Sequence, residues 1–369
     1  MNHRPTITAA LLLAVVCAPA LLAQPVTPPP ASPAAPPVTG SPDDGGAANA
    51  PLAGEMTAEL DAAVSGGLTY LASLQDEDGS FDGARYGKNV AITAVAGLAF
   101  MADGNLPGRG EYGLLIDRSI DFVLANAAEN GLIASDSANG PMYGHGFATL
   151  FLGEVYGMTG GASAARDRKI HEALVKAVRL IERSQNEEGG WRYNPVPYDA
   201  DVSVSICQVM ALRSARNAGI EVSADTIDRA VEYVRQCQNT DGGFKYQLEG
   251  GASAWPRTAA GVATLFYAGI YHDDAIDRGL DYLVREALPS SGKPAQAHYF
   301  YGQYYAVQAN YLAGGEAWAR WWPAIRTELL DGQNDDGSWD DRSVGPAYGT
   351  AMSLIVLQMP KRYLPIFQK

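Results

Sequence analysis

The chain has 369 residues, with 27 Lys and Arg against 41 Asp and Glu, a net charge of −14. Nucleic-acid binding needs clustered cations that release phosphate counterions, and no basic run occurs, so no nucleic-acid partner is expected. Hydrophobic residues make up 47% of the chain and aromatics 9%, ample for a packed core, but composition names no reaction.

Residues 1–23 begin with a short polar stretch holding His3 and Arg4, followed by an apolar run from Ala9 to Leu22 interrupted by Cys17 and Pro19. The run is short for a bilayer span and ends in small residues. It reads as a secretory signal peptide cleaved near Ala20 or Ala23, with an uncleaved anchor as the alternative. Val16 stands before Cys17 where a lipidation signal wants a small residue, so lipidation is not expected. These features predict export to the periplasm or the extracellular space, with no stable membrane span after cleavage. Residues 24–55 hold 9 of the 22 prolines. Such a segment buries too little apolar surface to offset its ordering entropy, and it is predicted to be a disordered, partly polyproline linker. Residues 56–369 form the predicted folded domain, and the chain beyond residue 55 keeps a net charge of −12.

One short pattern recurs four times in the body: Gln75-Asp-Glu-Asp-Gly-Ser-Phe81, Gln185-Asn-Glu-Glu-Gly-Gly-Trp191, Gln238-Asn-Thr-Asp-Gly-Gly-Phe244 and Gln333-Asn-Asp-Asp-Gly-Ser-Trp339. The spacings place degenerate copies at Asn130-Gly-Leu132 and Ser290-Ser-Gly-Lys-Pro294, giving six units of about fifty residues. Before each turn runs an amphipathic stretch, such as Ile170, Leu174, Val178 and Ile181 with charges between them. After each turn runs a stretch that is apolar nearly all round. A helix with one charged face lies outside and one without it lies inside. The expected fold is therefore all-α: an α/α toroid of six helical hairpins, six inner and six outer helices, since no polar capping repeat is present to end an open solenoid. Gly79, Gly189, Gly242 and Gly337 suit the positive φ of a turn, and the Gln suits orphaned backbone groups at helix ends. The acidic turns lack the spaced ligands and terminal Glu of a calcium loop.

The repeated order of Gln, acidic residues, Gly and Trp or Phe resembles the QW repeat of the superfamily of squalene cyclases, terpenoid cyclases and protein prenyltransferase β subunits. The resemblance covers about 310 residues and is greatest to exported bacterial prenyltransferase/squalene oxidase repeat proteins. It implies a toroid with a central cavity. Class II cyclases use the middle Asp of a DxDD motif as proton donor, and the nearest string is Asp199-Ala-Asp201-Val202-Ser203, with Val202 replacing the last Asp. The resemblance thus implies Asp201 as general acid, aided by Asp199 and His145. The alternative is Asp201 as N-cap of a helix beginning at Val202. Zinc prenyltransferases use an Asp-x-Cys pair and a distant His; no Asp-x-Cys occurs after the signal, and His145, His171, His272 and His298 fall in different units. No metal and no cofactor are expected.

Cys207 and Cys237 fall near one level of a predicted hairpin, which leaves a disulfide and two buried thiols both open. Tyr143, Trp255, Arg257, His298, Tyr301 and Tyr348 open the later inner helices and are candidate ligand-binding residues for an apolar or isoprenoid-like small molecule. The alternative is that they fill the hub as packing. Two readings of function follow: an exported toroid that binds a ligand or partner without catalysis, and an isoprenoid cyclase or prenyltransferase-like enzyme acting through Asp201.

Overall fold

A computed structural model describes residues 54–135, 140–159, 164–290 and 297–368. The signal peptide and all but the end of the linker lie outside these residues, as does 291–296 of the fifth turn. Among the described residues, twelve α-helices alternate between two layers. The outer helices are α1 (Ala58–Ser73), α3 (Gly113–Ala125), α5 (Ala164–Ser184), α7 (Ala224–Gln236), α9 (Asp274–Ala287) and α11 (Gly315–Asp331). The inner helices are α2 (Val90–Ala102), α4 (Met142–Thr159), α6 (Val202–Asn217), α8 (Trp255–Tyr267), α10 (Tyr299–Ala313) and α12 (Pro346–Leu357). Each inner helix packs on the next, and α12 packs back on α2, so the ring closes. Nearly every residue of α2 and α6 is buried, whereas α7 and α9 bury one stripe. Small residues set the inner spacing: a Cβ on Gly146 would lie 2.8 Å from Cys207 Cβ, and one on Gly153 would lie 2.4 Å from Ser214 Oγ. Gly54 and Glu55, placed in the linker by composition, belong to the fold: Trp318 Nε1 donates to Glu55 Oε1 at 2.5 Å and Arg326 to Gly54 O at 2.8 Å.

The turn motif is a hydrogen-bond device. Gln185 Nε2 donates to Gly189 O at 2.7 Å in its own turn and to Thr226 O at 2.9 Å in the next outer helix, α7. Gln75, Gln238 and Gln333 do the same toward Leu115 O, Ala275 O and Ala63 O. The last of these carries the sixth unit back to α1. Two backbone carbonyls face each Nε2, which fixes the orientation of the amide, and Gln75 Nε2 also lies 3.1 Å from Ser119 Oγ. The turn glycine sits where no side chain fits: Gly189 has φ +98°, and a Cβ there would stand 2.3 Å from Arg229 O.

A second tie holds the turn aromatic. The backbone N–H of Phe81, Trp191, Phe244 and Trp339 donates to Thr93, Ser205, Thr258 and Thr350 on the following inner helix, each at 3.0 Å. In the second unit Ile133 takes the aromatic's place, and its N–H donates to His145 Nδ1 at 3.1 Å. His145 Nε2 therefore carries the proton and faces Ala177 O at 3.4 Å. His145 is fully buried between α4 and α5, and burial lowers its pKa to about 4. This corrects its expected catalytic role: it is the second unit's version of a Thr anchor.

The C-terminal segment crosses the inner-helix C-terminal end. Gln358 donates to Ala99 O on α2, Lys361 pairs with Asp103, Arg362 stacks 5.4 Å from the Tyr311 ring on α10, and Ile366 N donates to Glu154 Oε2 on α4 at 3.0 Å. Glu154 also accepts from Ser214 Oγ at 2.7 Å. It is buried, and burial raises its pKa to about 7.

Replacing Gln185 by Ala removes two buried hydrogen bonds and is expected to cost about 2 kcal/mol in denaturant unfolding. Gln185→Glu sets a carboxylate against two carbonyls and should cost more; a neutral result for either variant would refute the tie. His145 has a folded pKa below its unfolded value, so wild type loses stability from it as pH falls from 6.5 toward 4, by about 3 kcal/mol. Glu154 has the opposite sign, losing stability as pH rises from 4.5 through 7 by a similar amount of about 3 kcal/mol. His145→Thr should therefore gain on wild type as pH falls from 6.5 to 4, and Glu154→Gln should gain on it as pH rises from 4.5 to 7, each read from unfolding curves at several pH values.

Candidate functional site

The inner helices run parallel, so their N-termini gather at one end of the ring, and none carries an acidic residue in its first turn. Helical spacing of four stacks side chains in layers here. Tyr143, Tyr301 and Tyr348 keep part of their surface accessible, while Phe147, Cys207, Tyr304 and Tyr305 beneath them are buried. The Tyr301 and Tyr305 rings lie 4.9 Å apart, Tyr304 and Tyr305 4.8 Å, and Phe147 and Tyr304 6.0 Å. Tyr301 OH donates to Ser203 O at 3.0 Å, and Cys207 Sγ lies 3.3 Å from Tyr305 OH. The hub thus presents three partly accessible phenols, termed the phenolic cup, over a buried aromatic layer. Tyr304 and Tyr305 of α10 are packed beneath them, where the resemblance implies a central cavity. Burial holds the phenols of Tyr143 and Tyr301 well above their usual pKa, so they stay neutral.

Asp201 stands beside the cup as the N-cap of α6 and is completely buried. Its Oδ1 accepts from Val204 N at 2.9 Å and Ser203 Oγ at 2.6 Å. Its Oδ2 accepts from Tyr246 OH at 3.2 Å and lies 3.8 Å from Arg192 Nε. Burial raises its pKa, opposed by these hydrogen bonds and by Arg192. Asp199 is partly exposed and pairs with Arg192, whose guanidinium lies 5.2 Å from the Tyr193 ring and 5.7 Å from the Tyr246 ring. Tyr193 and Tyr246 join through their hydroxyls. Val202 N donates to Tyr246 O at 3.1 Å, and Gln247 Nε2 donates to Ala200 O at 3.0 Å. The acidic string therefore fastens the start of α6 to the turn of the next unit, and the buried, apolar Val202 stands where a further Asp would be.

The structure brings Asp199, Asp201, Tyr143, Tyr301 and Tyr348 together, with Arg257 joined through Tyr246, 5.7 Å from its guanidinium. Trp255 sits apart, 6.5 Å from the Tyr299 ring between α8 and α10. His298 is exposed ahead of α10 in a left-handed conformation, φ +61°. Arg192, Tyr193, Tyr246 and Tyr305 are members that sequence reasoning missed. Arg192-Tyr193 and Tyr246 follow directly on the Trp191 and Phe244 turns, and that shared offset is the signal that could have found them.

The two cysteines are free thiols, which corrects the bridge reading. Cys207 points into the hub at Tyr305, while Cys237 is the C-cap of α7 and pairs with Tyr233. Burial pushes both thiols up to about 12, so neither is a nucleophile at neutral pH. Among the described residues no three His, Cys, Asp or Glu side chains lie close enough to hold a metal, and no helix is long and apolar enough to cross a membrane. A groove of about 930 Å³ lies away from the hub, between α3 and α5.

Solved structures share the ring. The chain is similar to the type II terpene cyclase MstE from Scytonema, at 15% identity and TM-score 0.57 over 83% of this chain and 99% of that one. It is similar to the GH76A α-1,6-mannanase from a Salegentibacter species, at 7% identity and TM-score 0.62 over 82% and 99%. Cellobiose 2-epimerase from Bacillus thermoamylovorans matches at 14% identity and TM-score 0.59 over 83% and 100%. At these identities the likeness is one of fold, and the fold hosts several chemistries. The family model of the prenyltransferase alpha-alpha toroid domain matches residues 68–296, more than half the chain. With a closed ring of helix pairs joined by Gln-to-aromatic turns, the chain belongs to that family.

Proposed function

We propose that the protein is an exported toroid that holds an apolar, isoprenoid-like ligand in the phenolic cup and binds it without converting it. The enclosure of Asp201 carries this reading. Both of its oxygens are engaged within the fold and none of its surface is accessible, so it presents no proton to a bound molecule. The cup itself offers three neutral phenols with accessible faces, suited to apolar contact with hydroxyls at its edge. Export rests on the apolar run of residues 1–23. The isoprenoid class follows the fold neighbour MstE, whose complexes hold geranylgeranyl dihydroxybenzoate as substrate and merosterolic acid A as product.

One observation favours a second reading, an enzyme with Asp201 as general acid: burial raises the pKa of this carboxyl, the direction that a proton donor needs.

The test is incubation of the purified protein with polyprenyl and triterpene lipid extracts, followed by mass spectrometry of bound and released species. Wild type and Asp201→Asn, which keeps an N-cap acceptor, are expected to retain the same unmodified lipid. The double substitution of Tyr301 and Tyr348 by Ala should lower retention about tenfold, the loss of roughly 1.4 kcal/mol of contact. A product that vanishes in Asp201→Asn would establish the enzyme reading instead. No lipid retained by wild type would dispose of both.

A further inference from the structure

Four of the six units fasten their turn to the next outer helix through one Gln amide, and the second unit lacks it. Counting back four residues from the turn glycine gives Gln75, Gln185, Gln238 and Gln333 in those units, but Ala127 before Gly131. Ala127 still occupies the same place: it bridges Ile133 as Gln238 bridges Phe244. The acceptors also remain. The carbonyl three residues before the one that abuts the turn glycine takes the amide in each sister unit, as Thr226 does relative to Arg229. Lys176 O abuts Gly131, where an added Cβ would stand 2.3 Å from it, so the counterparts here are Gly131 O and Ala173 O. Ala127 has no amide to give them.

The gap left by the missing amide is continuous with the groove between α3 and α5. That groove, of about 930 Å³, is lined by Ala127, Gly131, Ala173 and Lys176 among others, and its size suits a peptide segment. Three acids, Asp121, Glu129 and Glu172, and three bases, Arg166, Lys169 and Lys176, line it. Arg166 pairs with Asp121 and Lys176 with Glu129. The balanced lining gives no preference for a net charge, and the two carbonyls can take a neutral group with two N–H donors, Ala173 O keeping its place in the α5 ladder as Thr226 O does in α7. A primary amide meets both demands, and the molecule shows the fit four times over.

We propose that this groove docks a partner polypeptide that inserts a Gln side chain, completing between chains the tie that the other units make within the chain. This proposal does not depend on the cup or its ligand. The probe is a synthetic heptapeptide with the sequence of residues 75–81, alongside versions whose Gln is replaced by Ala or Glu, titrated calorimetrically against the full chain. The Gln peptide is expected to bind at least tenfold more tightly than either version. Ala127→Gln fills the gap from within and should abolish binding while raising the melting temperature. Ala127→Met fills the same space without an amide and should also block binding, which guards against a failure of the first variant to fold. Equal binding of the Gln and Ala peptides, no binding at all, or binding unchanged by both substitutions would overturn the proposal. Sedimentation showing a wild-type dimer that Ala127→Gln dissolves would place a second copy in the groove and overturn a separate partner.

Discussion

The ring of helix pairs depends on fixing the offset at its junctions, and at four of them one side-chain amide does this. At these four the turn glycine carbonyl lies beside a carbonyl near the start of the next outer helix. A Gln Nε2 carries two protons and these two carbonyls take both. A net gain of about 1 kcal/mol per bond is small, but the geometric effect is larger: the amide fixes the offset between successive units, and only a repeated offset closes. Closure is explicit at Gln333, which reaches Ala63 across 270 residues of sequence. The tie is identical to those between neighbours, and the loop entropy of joining chain ends so far apart is offset chiefly by the packing of α12 on α1 and α2.

The same accounting of polar groups extends to the starts of the inner helices. Five of the six inner helices use an early polar residue, Thr93, His145, Ser205, Thr258 or Thr350, to receive the N–H of the preceding turn. Asp201 and Asp199 serve the next junction, between α6 and the Phe244 turn, through Tyr246 and Arg192. Tyr143, Cys207, Tyr301, Tyr304, Tyr305 and Tyr348 remain at the hub, and burial keeps their phenols and thiol protonated.

Much of this was legible in the sequence, for a physical reason. Glycine at positive φ and a Gln facing two carbonyls have few substitutes, so Gly79, Gly189, Gly242 and Gly337 with their Gln partners repeat nearly unchanged, and the toroid follows from their period. The site was less legible, because one residue type serves different surroundings. A His at the start of an inner helix reads the same whether it faces a cavity or a turn N–H; only its place beside Thr93 and Thr258 in the repeat distinguishes them. Cys207 and Cys237 share a level, but level does not fix azimuth. One faces the hub and the other ends an outer helix. Tyr246 and Arg192 lie 54 residues apart and meet only because neighbouring turns stack at the offset that the Gln ties impose.

Charge is partitioned by the same architecture. The acidic turns keep their carboxylates at the surface, where Asp78 is held well below the usual range by Lys88 and Ser80 and stays ionised. Inside the ring the trend reverses. His145 is kept neutral by a depressed pKa and the hub phenols by burial, while a pKa raised to about 7 leaves Glu154 partly protonated at neutral pH. An isolated buried charge would require a partner in a medium of low dielectric, and the inner helices meet this constraint with groups that hold or lack protons so as to stay uncharged. Glu154 is the point where this balance is closest to neutral pH, and it is also the residue that receives Ile366 N and anchors the C-terminal segment across the far end of the ring. With that end crossed by the C-terminal segment and the layer below the cup buried, the inner-helix N-terminal end is where the hub keeps accessible surface.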